Sequence, residues 1–270
     1  MITLRSAREI EAIRRSGKIT AAVLTVLMQM ARPGMATREL DRIAERGIRE
    51  RGGVPTFKGY RGFPASVCVS VNDEVVHGIP GTYVLRDGDL LSIDLGTTLD
   101  GYVSDSAITI GVGTVSQPAQ QLLDVTQECL MLGVAKMRSG AHVGDIGAAV
   151  QEHAERHGYG VVRELVGHGV GREMHEEPQV PNYGRRGSGP LLRPGLVLAV
   201  EPMITQGDRA IVIREDGWTV VTADGKLAAH FEHTIVVTER GPRILTLREV
   251  GEHPSAEAFR PDAERNMAAL

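Results

Sequence analysis

Ile10, Ile13, Gly17, Ala21, Leu24 and Met28 recur at intervals of three and four, forming one face of an amphipathic helix predicted over 6–31. The same periodicity predicts helices over 36–51, 117–138 and 143–157. Apolar and β-branched runs predict strands at 66–71, 90–97, 102–110, 196–204, 211–214, 218–222 and 230–238. Asp-Gly and Pro-Gly pairs at 87–88, 100–101, 194–195 and 216–217 punctuate their boundaries. Helices grouped ahead of hairpin-like strands imply an α+β fold with antiparallel sheet rather than a doubly wound parallel one. From Glu249 the chain is polar, carries Pro254 and Pro261 and loses its apolar period, so 249–270 is expected to be a poorly ordered tail.

Arg14, Arg15 and Lys18 ahead of the apolar run 19–30 superficially match the front of a secretory leader. Glu9, Glu11 and the one-faced periodicity favour the amphipathic helix, and no apolar run reaches the ~20 residues that span a bilayer. The chain also repeats itself weakly. Segment 32–53 resembles 138–160 at an offset of 106, and 86–94 resembles 193–201 at 107. Segment 104–110 matches 231–237 at 127, and His77-Gly-Ile-Pro matches His175-Glu-Glu-Pro at 98. Four matches in one order predict a single domain over 1–248 made of two related halves, about 1–112 and 113–248.

The repeat places Asp94 over Glu201 and Asp105 over Glu232, each inside an apolar strand. A carboxylate there is expensive unless paired, neutralised or bound to metal. If Asp100-Gly101 is a two-residue hairpin turn, Asp105 faces Gly96, and Asp94 and Asp105 become diagonal neighbours on one face. A three-residue turn would put them on opposite faces. Four converging acids repel one another, and two divalent cations would cancel their charge. Oxygen donors with few imidazoles suit Mn, Fe(II) or Co, and paired ions activate water and polarise a carbonyl.

Gly167-His168-Gly-Val-Gly-Arg-Glu-Met174-His175 sets two imidazoles seven residues apart among glycines that permit close backbone approach. His77, the repeat partner of His175, is a further candidate. Of the nine histidines, His142, His153, His157, His230, His233 and His253 read as helix, strand-flank or tail residues. No nucleophile elbow, Walker loop, HExxH or CxxC pattern is present. The formal charge of −4 argues against a surface built to coat nucleic acid, and 4% aromatic residues disfavour base-stacking platforms. Two cysteines cannot make a disulfide framework, so a cytoplasmic location is expected.

In combination and order, several motifs over about 1–247 resemble type I methionine aminopeptidases. They are Val-Val-His77-Gly-Ile-Pro, Ile-Asp94-Leu through Ser-Asp105-Ser, Gly-His168-Gly-Val-Gly-Arg, His175-Glu-Glu-Pro-Gln-Val, Val-Glu201-Pro-Met, Trp218-Thr-Val and Phe-Glu232-His-Thr. The resemblance implies the pseudo-twofold pita-bread fold and two divalent metal ions (Co, Mn, Fe or Zn) held by Asp94, Asp105, His168, Glu201 and Glu232, with Asp105 and Glu232 bridging. It implies removal of the N-terminal methionine of peptides and nascent chains, with a small second residue preferred. A metal-activated hydroxide would attack, Glu201 would shuttle the proton, and His77 and His175 would bind the substrate or oxyanion. Tyr60, Phe63, Cys68 and Trp218 resemble the methionine pocket, with Met174 and Phe57 also in its wall. A monomer with transient ribosome association, no membrane contact and no specific nucleic acid is expected.

The sequence departs from the family pattern at three points. Met174 stands where Phe is frequent, Phe57 where Cys is frequent, and Gly96 where Thr is common. These bear on pocket shape and metal-site tuning, not on reaction class. The rival proline-specific peptidases share the five ligands but carry an additional N-terminal domain, for which the first half leaves no room. A metal-free binding module of the same fold is disfavoured because every ligand position holds a ligating residue type. Arg185 and Arg186 read as part of a solvated Gly-rich loop in preference to a docking patch.

Overall fold

The computed structural model describes residues 1–248; the tail expected at 249–270, with His253, lies outside the described residues. Four helices form where the apolar period runs: α1 (Ala7–Met30), α2 (Thr37–Glu50), α3 (Gln117–Ala135) and α4 (Val143–Arg156). Ser6 starts α1 with a capping box, in which Glu9 Oε2 accepts from the Ser6 backbone N–H at 3.0 Å. The run that mimics a leader is the second half of α1, where Ile19, Val23, Leu24 and Leu27 enter the core. No helix among the described residues is long and apolar enough to cross a membrane.

The repeat has a structural counterpart at atomic detail. The isolated bridges Ala36↔Val84 and His142↔Leu191 recur at the offsets found in the sequence. Gly34 and Gly140 both adopt φ +88, and their N–H groups donate to the carbonyls of Leu85 and Leu192. Glu39 then caps the Ala36 N–H and Asp145 the His142 N–H, at 3.2 and 2.7 Å. The same turn therefore launches α2 and α4.

All strand pairings are antiparallel among the described residues. Strands Leu90–Leu99 and Tyr102–Gly111 form a hairpin whose Asp100 and Gly101 both take positive φ, as a type I′ turn requires. Its register pairs Gly96 with Asp105 and Asp94 with Ala107, the two-residue alternative of the sequence reading. In the second half the order is Gly241–Ile244, His233–Thr238, Val197–Val200, Gly167–Gly169, Glu176–Val180.

The strands expected at 196–204 and 230–238 are each interrupted. Val197–Val200 pairs with His233–Thr238, and Met203–Thr205 pairs with Ala228–His230, in one continuous register. Glu201 and Glu232 thus stand opposite each other in the gap, where Pro202 has no N–H for the ladder. The Glu232 N–H instead donates to Ala107 O at 2.9 Å, which ties the second half to the first-half hairpin. Thr234 Oγ1 donates to Asp105 O and accepts from Asp105 N, and Ser106 Oγ donates to Glu232 O. The short strands Val54–Pro55, Glu74–Val76, Gly160–Val161, Gly167–Gly169 and Glu176–Val180 were not anticipated.

One apolar cluster lies under α1 and α2, another under α3 and α4, and a third joins the halves beneath the site. Gly17 of α1 lets the chain near Leu245 cross closely: a Cβ there would lie 2.2 Å from Leu245 O. Gly→Ala inside a helix ordinarily stabilises by about 1 kcal/mol. Gly17→Ala is expected to destabilise by about 1–3 kcal/mol through overpacking, measured by denaturant unfolding; a stabilised variant would refute this contact.

Candidate metal centre

The hairpin register puts the Asp94 and Asp105 side chains on one sheet face, with Cys68 beside Asp94 on the neighbouring strand. Across the junction, the ladder gap supplies Glu201 and Glu232, and Gly167–Gly169 supplies His168. Asp105, His168 and Glu232 each offer a ligand atom within 4.8 Å of the others. His168 Nε2 lies 3.5 Å from Glu201 Oε1. All five residues line one cavity of about 300 Å³.

Asp94 Oδ1, Asp105 Oδ1 and Glu232 Oε1 are buried without a hydrogen-bond partner. Burial, then the charges of Asp105 and Glu201, drive the Asp94 carboxyl well above its ordinary range. Burial followed by neighbouring carboxylates does the same to Glu201 and Glu232, and burial raises Asp105 to about 7. Such a cluster must hold protons or cations.

The His168 tautomer suits either, because a free Nε2 lone pair can accept a carboxyl proton or bind a cation. Its Nδ1 lies 2.9 Å from Gly169 O, which can only accept, so Nδ1 carries the hydrogen and Nε2 presents a lone pair. Burial depresses the His168 pKa to about 3. A bare lone pair facing a carboxylate oxygen is favourable when a cation lies between them, and a backbone carbonyl orienting the far nitrogen is the usual support of a metal-ligating histidine. The donor set therefore fits divalent metal.

His77 and His175 flank the centre. His77 has φ +60, a left-handed conformation uncommon for a non-glycine residue, and burial lowers its pKa to about 4. The His175 ring lies 4.3 Å from that of His168, and its Nδ1 is 2.8 Å from the Tyr60 hydroxyl. Burial, then the Arg61 charge, lowers the His175 pKa. Glu176 pins this loop: it accepts from the backbone N–H groups of Arg172 and Glu173 and pairs with Arg5. A Cβ at Gly171 would meet the Arg5 guanidinium at 2.3 Å, so a side chain there would have to displace Arg5 from Glu176.

Tyr60, Phe63, Phe57, Cys68, Met174 and Trp218 all line the cavity. Trp218 packs edge-on to Phe63 at 5.1 Å. Both cysteines are free and buried. Arg61, Leu165, Val166, Met203 and His230 are not among the expected site residues. The first four line the cavity, whereas His230 points Nε2 at Glu201 Oε2 from 3.7 Å. The period of two that groups His230 with Glu232 was a usable signal. His142, His153 and His157 belong to α4 or its caps, and His233 Nδ1 engages Thr246 Oγ1. Arg186 pairs with Glu152 in an exposed loop.

Two departures from the family pattern are one packing solution. A Cβ at Gly96 would lie 2.7 Å from Phe57 Cε1, so the ring fills the space a side chain at 96 would take. Gly96→Thr should cost about 1–3 kcal/mol by overpacking and Phe57→Cys about 2–4 kcal/mol by cavity formation. The double variant should recover at least 0.5 kcal/mol relative to the sum, measured by denaturant unfolding; additive costs would refute the coupling.

The chain matches the profile of metallopeptidase family M24 over residues 11–239. It is 50% identical over 247 residues to a methionine aminopeptidase of Clostridium perfringens, covering 92% of this chain and 99% of that one. It is also 50% identical to methionine aminopeptidase 1 of Bacillus subtilis, with 91% and 99% covered. A crystal structure of the Thermotoga maritima methionine aminopeptidase superposes with a TM-score of 0.90 at 42% identity, covering 92% of this chain and 100% of that one. With the helix pairs, antiparallel sheets and carboxylate-rich centre, these likenesses establish that the chain belongs to metallopeptidase family M24, among the type I methionine aminopeptidases of pita-bread fold.

Proposed function

We propose that the chain hydrolyses the first peptide bond of methionyl peptides and nascent chains, with a small second residue preferred, as a single catalytic domain over 1–248 with halves about 1–112 and 113–248. The observation that carries this reading is the buried carboxylate cluster with unpartnered oxygens at the end of an apolar cavity. Asp94, Asp105, His168, Glu201 and Glu232 would hold two divalent ions. When bound, such ions lower the pKa of water and polarise a carbonyl.

The chain's own groups supply the rest. The methionine side chain enters between Phe63, Trp218, Cys68 and Phe57, where apolar walls and sulfur suit a thioether. A Glu201 carboxylate oxygen takes the proton of the attacking water and returns it to the leaving nitrogen. With the Tyr60 hydroxyl donating into His175 Nδ1, Nε2 carries the hydrogen that meets the developing oxyanion. His77 hydrogen-bonds the substrate from the other side.

The test is cleavage of Met-Ala-Ser peptides against varied first and second residues. Metal-free protein should be inactive, Mn or Co should restore turnover, and His175→Ala should lower kcat about 10²–10³-fold. Release of Pro-linked residues instead of methionine would overturn the substrate assignment. Negligible metal uptake, with Glu201→Ala behaving as wild type, would make the chain a binding module.

The pH dependence has a definite sign. Above about pH 8 the buried histidines are neutral both folded and unfolded, since free imidazole titrates near 6.5. Asp105, raised to about 7, has then lost its proton, whereas the carboxyls of Asp94, Glu201 and Glu232, held well above their ordinary range, keep protons in the folded metal-free chain that the unfolded chain has released. Metal-free stability should therefore fall as pH rises above about 8. Saturating Mn should abolish that slope and release protons, read as a buffer-dependent binding enthalpy. Metal binding without proton release would contradict it.

A further inference from the structure

His230 ends the strand Ala228–His230, is 1% exposed, and has neither ring nitrogen in a hydrogen bond. A buried imidazole with two orphaned nitrogens is costly unless a partner engages it. Its Nε2 faces Glu201 Oε2 at 3.7 Å, while His168 Nε2 faces Oε1 of the same carboxylate at 3.5 Å. The two imidazoles are not equivalent. Gly169 O fixes the hydrogen of His168 on Nδ1, whereas His230 Nδ1 has no acceptor and leaves its hydrogen available to Nε2.

Glu201 needs such a partner. It lies in the gap of the ladder, with its carbonyl held by Asn182 Nδ2 at 2.9 Å. Its terminal carboxylate torsion is soft, and an unrestrained carboxylate sweeps both oxygens through the centre. We propose that His230 is a positioning residue for Glu201, its Nε2–H holding Oε2 so that Oε1 stays turned toward His168 and the metals. At 3.7 Å the two atoms stand a few tenths of an ångström beyond hydrogen-bond range, and the role requires that gap to close. The role rests on Glu201 acting at the metals as proposed above. It differs from the role of a ligand: His168 offers a lone pair to a cation, and His230 offers a hydrogen to the carboxylate.

The test compares wild type with His230→Gln, which keeps an N–H donor, and His230→Leu, of similar bulk without one. Manganese affinity by calorimetry should fall about 10–100-fold in the leucine variant and be largely rescued in the glutamine variant. On a Met-Ala-Ser peptide at saturating metal, the leucine variant should lose kcat with little change in KM. Equal metal affinity in all three, or a glutamine variant as impaired as leucine, overturns the proposal. A direct readout needs no variant: imidazole ¹⁵N spectra of the zinc-loaded wild type should show His230 Nε2 protonated and His168 Nε2 coordinated. A coordinated His230 Nε2 overturns the positioning role. Should the wild type neither bind divalent metal nor release methionine, the functional reading fails together with this one; a wild type that does both, beside an indifferent leucine variant, sinks the positioning role alone.

Discussion

The burial of four neighbouring carboxylates is the constraint around which the centre of this molecule is arranged. Asp94, Asp105, Glu201 and Glu232 are displaced upward in pKa first by burial, then in three of the four by one another's charge. A fold that only had to be stable would replace them with apolar residues, because buried ionisable groups seldom repay their desolvation. Here the surrounding contacts hold the acids together. Thr234 bonds both the N–H and the carbonyl of Asp105, and Ser106 bonds the carbonyl of Glu232. These links restrain the backbone beneath the carboxylates and leave an oxygen of Asp94, Asp105 and Glu232 uncommitted.

The two halves meet along that seam. Each brings a helix pair launched by the same glycine turn and capped by an acid at the third helical position. Each brings an antiparallel strand pair with acids facing its partner. The Glu232 N–H to Ala107 O bond spans the hairpin and the broken ladder, so the acids of both lie together where these elements dock. The Arg5–Glu176 pair adds a further tie, from the segment before α1 to the loop that carries His175.

Features governed by local chemistry were legible in the sequence. Four helices follow from the apolar period, and the facing of Asp94 and Asp105 follows once Asp100-Gly101 is a two-residue turn, the alternative the positive φ of both residues selects. Val54–Pro55 and Gly167–Gly169 were not legible, because no apolar period shows in so few residues, whereas the comparably short Ile211–Ile213 and Val220–Thr222 carry β-branched runs. The breaks at 201–202 and 231–232 were hidden by continuous apolar runs, although Pro202 was a marker. His230 looked like a strand flank because its partner, Glu201, was assigned to an unbroken strand. Phe57 and Gly96 looked like separate oddities, being 39 residues apart, until packing made them one.

The halves repeat in frame but not in acid, and the reason is geometric. Asp94 and Asp105 project from a continuous hairpin whose ladder fixes both backbones at the centre. Glu201 and Glu232 project from a gap in which neither is paired across the ladder. A glutamate from that gap gains one methylene of reach and one more rotatable bond, and each added torsion costs orientation unless something fixes it. Glutamate on the broken side thus trades precision for reach, and its surroundings return the precision: Asn182 holds the Glu201 backbone and two imidazoles face its carboxylate oxygens. Aspartate needs no such escort on the intact hairpin. The asymmetry between halves that share one turn and one cap follows from where the ladder breaks.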